Sequence, residues 1–400
     1  MKPVKLIALG WLVLLAMPPA ATAGLFGSGD SDEVATKVAV LDEETEVGAL
    51  DFSPDGSHLA VDSYGNSGTD IWDLGKKLIV SHLPEGGTGI LKEVIRYSPS
   101  NRQLAICHGI RGALKINIDV YDTSSWTKIH SIGDAENKEW MGGGCAGIAF
   151  TPDGKELIRL ANRDILHLGN NIMFYDTSSW QVTRGIRTMP LVKSSTPWFD
   201  PSNASFLSVS DMLETDPDNK AAFHPDTLSI SKDGRYLALA GMSYPVIKNG
   251  AHPAEVVIVD ISNLSLFHVI SGYVESLDWN PDNVHIAGLE DNGTFKIFDS
   301  TTGESVVSEV TGPVRILVRY PPDGKYLIEK VGKKVEIWDG QHQKLLQVIH
   351  AEPSCIAVSS DGHYFAMGGA ENSILDATPM LSLVTHPNGP KGKVLVYKLK

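Results

Sequence analysis

The residues that could do chemistry in this 400-residue chain are scattered. His108, His167, His224 and His252 fall in stretches that interrupt the apolar runs, and none has a partner ligand at fixed local spacing, as a zinc site requires. Asp211, Glu214, Asp216 and Asp218 form a carboxylate cluster, but without the central glycine that turns a calcium loop. A solvated acidic loop is the simpler reading. There is no GxSxG elbow, CxxC pair, CxxCH haem site or glycine-rich phosphate loop, so nucleophilic, redox and nucleotide chemistry lack their usual frames. No catalytic residue, metal ligand or cofactor is assigned. Cys107, Cys145 and Cys355 are an odd number of thiols, so at most one intrachain bridge can form. Three small buried side chains are the simpler reading, with a bridge between Cys107 and Cys145, which could be neighbours, as the alternative.

The elements that must position these residues come from a repeated unit. Val47 to Asp73 runs as a short alternating stretch, a Ser53-Pro54-Asp55-Gly56 turn, an apolar run, a loop, and a run ending Ile71-Trp72-Asp73. Proline presets φ, aspartate bonds its own backbone and glycine accepts positive φ, so the pattern reads as antiparallel strands. The turn recurs at Ser98, Thr151, Ser231, Asn280, Pro321 and Ser359, making seven copies. An apolar-aromatic-Asp marker follows most of them, ending at Asp122, Asp176, Asp260, Asp299 and Asp339, while the last copy ends as Val396-Tyr397-Lys398. Val34 to Leu41 is a fourth strand without a blade, and the last copy lacks one. The expected fold is therefore all-β, a seven-bladed β-propeller of four-stranded antiparallel blades over 34–400, closed by pairing the N-terminal strand with the last blade. An eighth, degenerate blade around Asp200-Pro201-Ser202-Asn203 is the alternative. No marker follows it, which favours an inserted hairpin and loop over Thr188 to Pro225.

The SPDG and IWD signatures resemble those of WD-repeat β-propellers. The Gly-His pair that precedes the first strand of each blade in the eukaryotic pattern is missing. The closer resemblance is to bacterial exported propellers, a group that includes quinoprotein-type and Tol-system propellers. It implies architecture first. It also leaves two functional classes: a non-catalytic protein-binding scaffold, which is the expectation, or an enzyme or enzyme subunit with a site at the channel mouth, as in lactonases and quinoprotein dehydrogenase β-subunits.

In a propeller the SPDG turns and the marker turns share one end, and the remaining links share the other. Here the remaining links are irregular, which marks the end suited to recognition. Trp140 and Trp198 alone among the tryptophans after the leader have no place in the repeat, and both fall in such links. With Arg111, Arg163 and Tyr244 they are the partner-binding candidates, being residue types that dominate interfaces. Each tryptophan could equally anchor its own loop to a blade edge.

Lys2 and Lys5 precede an apolar run from Leu6 to Met17 and the small-residue site Ala21-Thr22-Ala23, the pattern of a signal peptide over 1–23 cleaved after Ala23. Residues 24–33 read as a flexible tail. The formal charge of −14 becomes more negative by two when the leader is lost. That acidity argues against a nucleic-acid partner, and no stretch is long enough for a membrane span. The expected setting is the periplasm, and the expected partner a protein or peptide there.

Overall fold

The repeat resolves into radial blades because each copy alternates apolar residues on both faces of its strands. The computed structural model describes residues 33–64, 68–84, 94–110, 115–133, 144–162, 171–187, 222–244, 254–271, 276–289, 294–310, 317–374 and 391–400. Within them lie seven four-stranded antiparallel sheets arranged as a β-propeller. Blades 1 to 6 span 47–83, 94–133, 144–187, 222–271, 276–310 and 318–349. Blade 7 joins 355–399 to the N-terminal strand Ala35–Glu43, which pairs with Gly392–Leu399 from Ala35 opposite Leu399 to Glu43 opposite Gly392. Gln347 of blade 6 holds the closing strand through both its amide oxygen and nitrogen, at 2.8 and 3.0 Å from the backbone of Ala35.

Among the described residues seven apolar clusters make up the core, and each is shared by two neighbouring blades. Leu239 and Val257 of blade 4 pack on Ile158 and Phe174 of blade 3; Ala366 and Val396 of blade 7 pack on Leu50 and Leu59 of blade 1.

Two turns per blade fix the strand register. In the first, Ser53 donates to Asp55 Oδ1 at 2.7 Å and accepts the N–H of His58 at 2.8 Å. The same device recurs at Thr151, Ser231 and Ser359. The fourth turn position has positive φ in every blade and carries only Gly56, Asn101, Gly154, Gly234, Asn283, Gly324 and Gly362, the residue types that tolerate it best. Burial works against Asp55, yet hydrogen bonds from Ser53 and Ser57 hold its carboxyl down to about 2.

In the second turn the marker aspartate caps the loop: Asp176 accepts from Ser178 and Ser179, which hold it down to about 2. This turn also contains a positive-φ residue, at Lys77, Trp126, Trp180, Leu264, Gly303 and His342. All but Gly303 carry a large side chain, and each of these side chains reaches the preceding blade. Trp126 meets His58 at 5.7 Å between ring centroids, Trp180 stacks on His130 at 5.6 Å, and His342 stacks on Phe295 at 4.3 Å.

Two details differ from the sequence reading. The fourth blade's first strand begins at Ala222, so His224 and Pro225 belong to a strand rather than to the inserted loop. The register shift between Pro225 and Thr227 accommodates the missing proline N–H. His108 lies inside the strand Gln103–Ile110 and is buried beside Asp119, not in a link. Segment 188–221, with the rest of the expected hairpin, lies outside the described residues. Cys107 is disulfide-bonded and Cys355 is free. The Cys145 side chain is outside the described residues, but it is the one other cysteine in the sequence. Denatured, unreduced protein is accordingly expected to titrate a single thiol, Cys355; three titratable thiols would exclude the bridge.

Candidate functional site in the axial channel

The first strand of each blade faces the axis and pairs on one side only, so alternate N–H and C=O groups are left pointing inward. These seven strands enclose a cavity of about 340 Å³, within the range of small-ligand sites. Two positions before each SPDG-type turn, the blades contribute Asp51, Arg96, Ala149, Ser229, Asp278, Arg319 and Ala357, all lining that cavity. Around the ring the order Asp-Arg-Ala occurs twice, with Ser229 between.

The acceptors in this ring have a structural task. Asp51 Oδ2 accepts the N–H of Tyr97 in blade 2 at 2.7 Å. Asp278 Oδ2 accepts the N–H of Tyr320 in blade 6 at 2.9 Å, and its other oxygen takes the Ser229 hydroxyl at 2.9 Å. Both therefore stitch an inward-pointing backbone donor to the blade before it. Their side chains keep some contact with the channel lumen but are walled by protein on all sides. Burial pushes the Asp51 carboxyl up to about 6, against the pull of Arg96 and the Tyr97 N–H. Burial likewise raises Asp278, against Arg319.

The two arginines are less occupied. Arg96 Nη1 donates to the carbonyl of Ile95 at 2.6 Å, and Arg319 Nη1 to that of Val318 at 2.7 Å. Neither forms an ion pair within 4.0 Å among the described residues. Burial, with Arg96 as a like charge, weakens the hold of Arg319 on its proton, while Asp278 and Asp51 support it. Cys355 also lines the channel. Burial pushes its thiol up to about 12, so it supplies no thiolate nucleophile.

Two other buried carboxylates, Glu43 and Glu329, are internal to the walls. Glu43 accepts the Trp72 Nε1–H at 2.7 Å and the Ser63 hydroxyl at 3.4 Å. Burial raises Glu43 to about 8, against that hydrogen bond. Glu329 is paired with His342 Nε2 at 3.0 Å, both being 1 % exposed. Among the described residues no group of three or more His, Cys, Asp or Glu is placed to hold a metal, and no helix is long and apolar enough to cross a membrane.

Compared with known protein families and with curated proteins, the chain matches none. Its chemistry must be read from its own geometry.

Of the partner-binding candidates, Trp140, Trp198, Arg111 and Arg163 lie outside the described residues. Tyr244 ends the strand Tyr236–Tyr244, with its side chain outside them. The structure brings together a set that the sequence reading did not single out. Its signal was available: Asp51 and Asp278, like Arg96 and Arg319, occupy equivalent positions before their turns.

Two pH effects follow. The folded pKa of Asp51, about 6, lies above its ordinary value of 3.8, so its contribution is complete below 3.8 and lost as pH rises through 6. Discounted for channel water, the loss is about 1–2 kcal/mol. Asp51→Asn should flatten that segment of a urea-stability profile; an unchanged slope would assign the titration elsewhere. For Glu43 the window is higher, from 4.5 to about 8. Glu43→Gln should match the parent protein at the low end and exceed it in stability beyond the high end by a few kcal/mol, read from urea midpoints.

Proposed function

We propose that this chain is an exported, non-catalytic scaffold that binds a protein or peptide in the periplasm through one end of its propeller. The observation that carries this reading is a contrast in link lengths between the two ends. At one end, the connections 53–57, 98–102, 151–155, 231–235, 280–284 and 359–363 have the same length, and internal hydrogen bonds close them. At the other, connections range from 332–333 through 163–170 and 245–253 to 188–221. Links free to vary without disturbing strand pairing are where recognition residues accumulate. Trp140 and Trp198 belong to this end by their places in the chain. The signal peptide, the periplasmic setting and the WD-repeat-like character are part of the same proposal and rest on sequence pattern.

An enzymatic reading is favoured by one observation only, the convergence of Asp51, Asp278, Arg96 and Arg319 on a cavity with raised carboxyl pKa values. A carboxylate near pKa 6 suits a general base. Against it, both aspartates have the same backbone-stitching role at equivalent positions, which accounts for their presence without catalysis.

The test is affinity recovery from the exported fraction with the mature chain, followed by quantitative binding. Trp140→Ala and Trp198→Ala are each expected to weaken partner binding by about 2 kcal/mol or more, with little change in Tm. Large Tm losses with unchanged binding would make them loop anchors. Absence of any partner, together with turnover of a small substrate that Asp51→Asn abolishes, would replace the scaffold by the enzyme.

A further inference from the structure

We infer that the channel ring is a binding site for a small dianionic oxyanion, held between the guanidinium groups of Arg96 and Arg319. The proposal rests on the ring alone and is independent of what the variable end binds. A guanidinium carries five N–H donors, and each of these arginines has one hydrogen bond among the described residues, to its neighbour's carbonyl. The carboxylates beside them are already engaged: Asp51 by the N–H groups of Phe52 and Tyr97, Asp278 by Tyr320 and Ser229. Among the side chains of the ring, the unused hydrogen-bonding capacity is therefore weighted toward donors. What complements it is a ligand rich in acceptors and compact enough for about 340 Å³.

Room for such a ligand follows from the order of blades. After each arginine the next ring position is alanine, Ala149 after Arg96 and Ala357 after Arg319. A side chain cut back to Cβ keeps the lumen open at those two ring positions. Arg96 and Arg319 line the same cavity, and Arg96 is among the like charges that act on Arg319, a repulsion that an anion in the lumen would relieve. A planar fork matches two oxygens of a phosphate, sulfate or carboxylate bidentately.

The charge balance gives the site a pH signature. With both aspartates ionised, two carboxylates offset two guanidiniums. The charged or titratable groups facing Asp51 are Arg96, Arg319 and the Tyr97 phenol. Protonation of Asp51 leaves an excess of positive charge in the ring, so an anion of fixed charge should bind more tightly as pH falls.

The experiment is calorimetric titration of the mature chain with sodium sulfate and, separately, succinate, ionic strength being held constant with chloride. Expected are saturable one-to-one binding of at least one probe and a gain in sulfate affinity from about pH 7.5 to about pH 5.5. Arg96→Gln and Arg319→Gln should each weaken binding by about tenfold or more. Arg102→Gln, on the exposed turn, should leave it unchanged. Should the glutamine variants fail to fold, Arg96→Lys and Arg319→Lys keep the balancing charge but lose the fork, and should still weaken binding. Sulfate preferred over succinate would indicate one tetrahedral ligand, and the reverse a dicarboxylate bridging the ring. The inference is overturned if neither probe saturates, or if binding survives all the arginine substitutions; the arginines then serve only to balance Asp51 and Asp278.

Discussion

Everything in this protein depends on one strand pairing, that of Ala35–Glu43 with Gly392–Leu399. Among the described residues no blade has an apolar cluster of its own. Each apolar cluster lies between two blades, so the seventh interface, where Leu41 and Val396 meet Leu50 and Leu59, exists only when the ends of the ring meet. A four-stranded sheet alone leaves both faces wet, and an open arc would expose two such faces and a sheet edge. Closure by sequence-distant strands is a non-local contact, which carries a high loop-closure cost before it forms.

Closure creates a second constraint at the axis. Seven half-paired strands bring inward-pointing N–H groups around a lumen, and a buried donor without an acceptor is costly. Asp51, Ser229 and Asp278 answer this by accepting from the next blade. Their carboxylates introduce buried negative charge, and Arg96 and Arg319 supply the balance. The channel's polarity is thus a consequence of ring geometry, and its leftover donor capacity is what gives it the means to hold a ligand.

Much of the scaffold was legible because turn chemistry is local. Positive φ requires glycine or asparagine at Gly56 or Asn283 whatever the remainder of the chain does, and the marker aspartate caps its own loop. The closing strand was legible by elimination, since Val34 to Leu41 fitted the fourth-strand position and the last copy lacked one. The channel ring was not. Its seven positions carry four different residue types, and only alignment of all blades by their turns shows that they stand at one level. Pro225 and His108 were misplaced for a related reason: one sits at a bulge inside a strand and the other is a polar residue buried in one, where composition points to a loop.

The same division explains why the two ends of the ring differ. At the turn end, each blade's loop is tied to its neighbour, as where Asn101 donates to Asp55 at 2.8 Å and the Asp233 N–H to Asn283 at 3.0 Å. The second turns add the large residues at positive φ that reach back one blade. Lengthening any of these loops would break an interblade contact as well as its own hydrogen bonds. At the opposite end, strands 2 and 3 of blade 6 are joined through 332–333 while those of blade 7 are joined through 371–391, with the sheets intact in both. The four-stranded pairing is the same in both blades, so the length of this link varies without disturbing the sheet. Sequence that is free of the scaffold's demands is what the proposed binding scaffold would use for recognition.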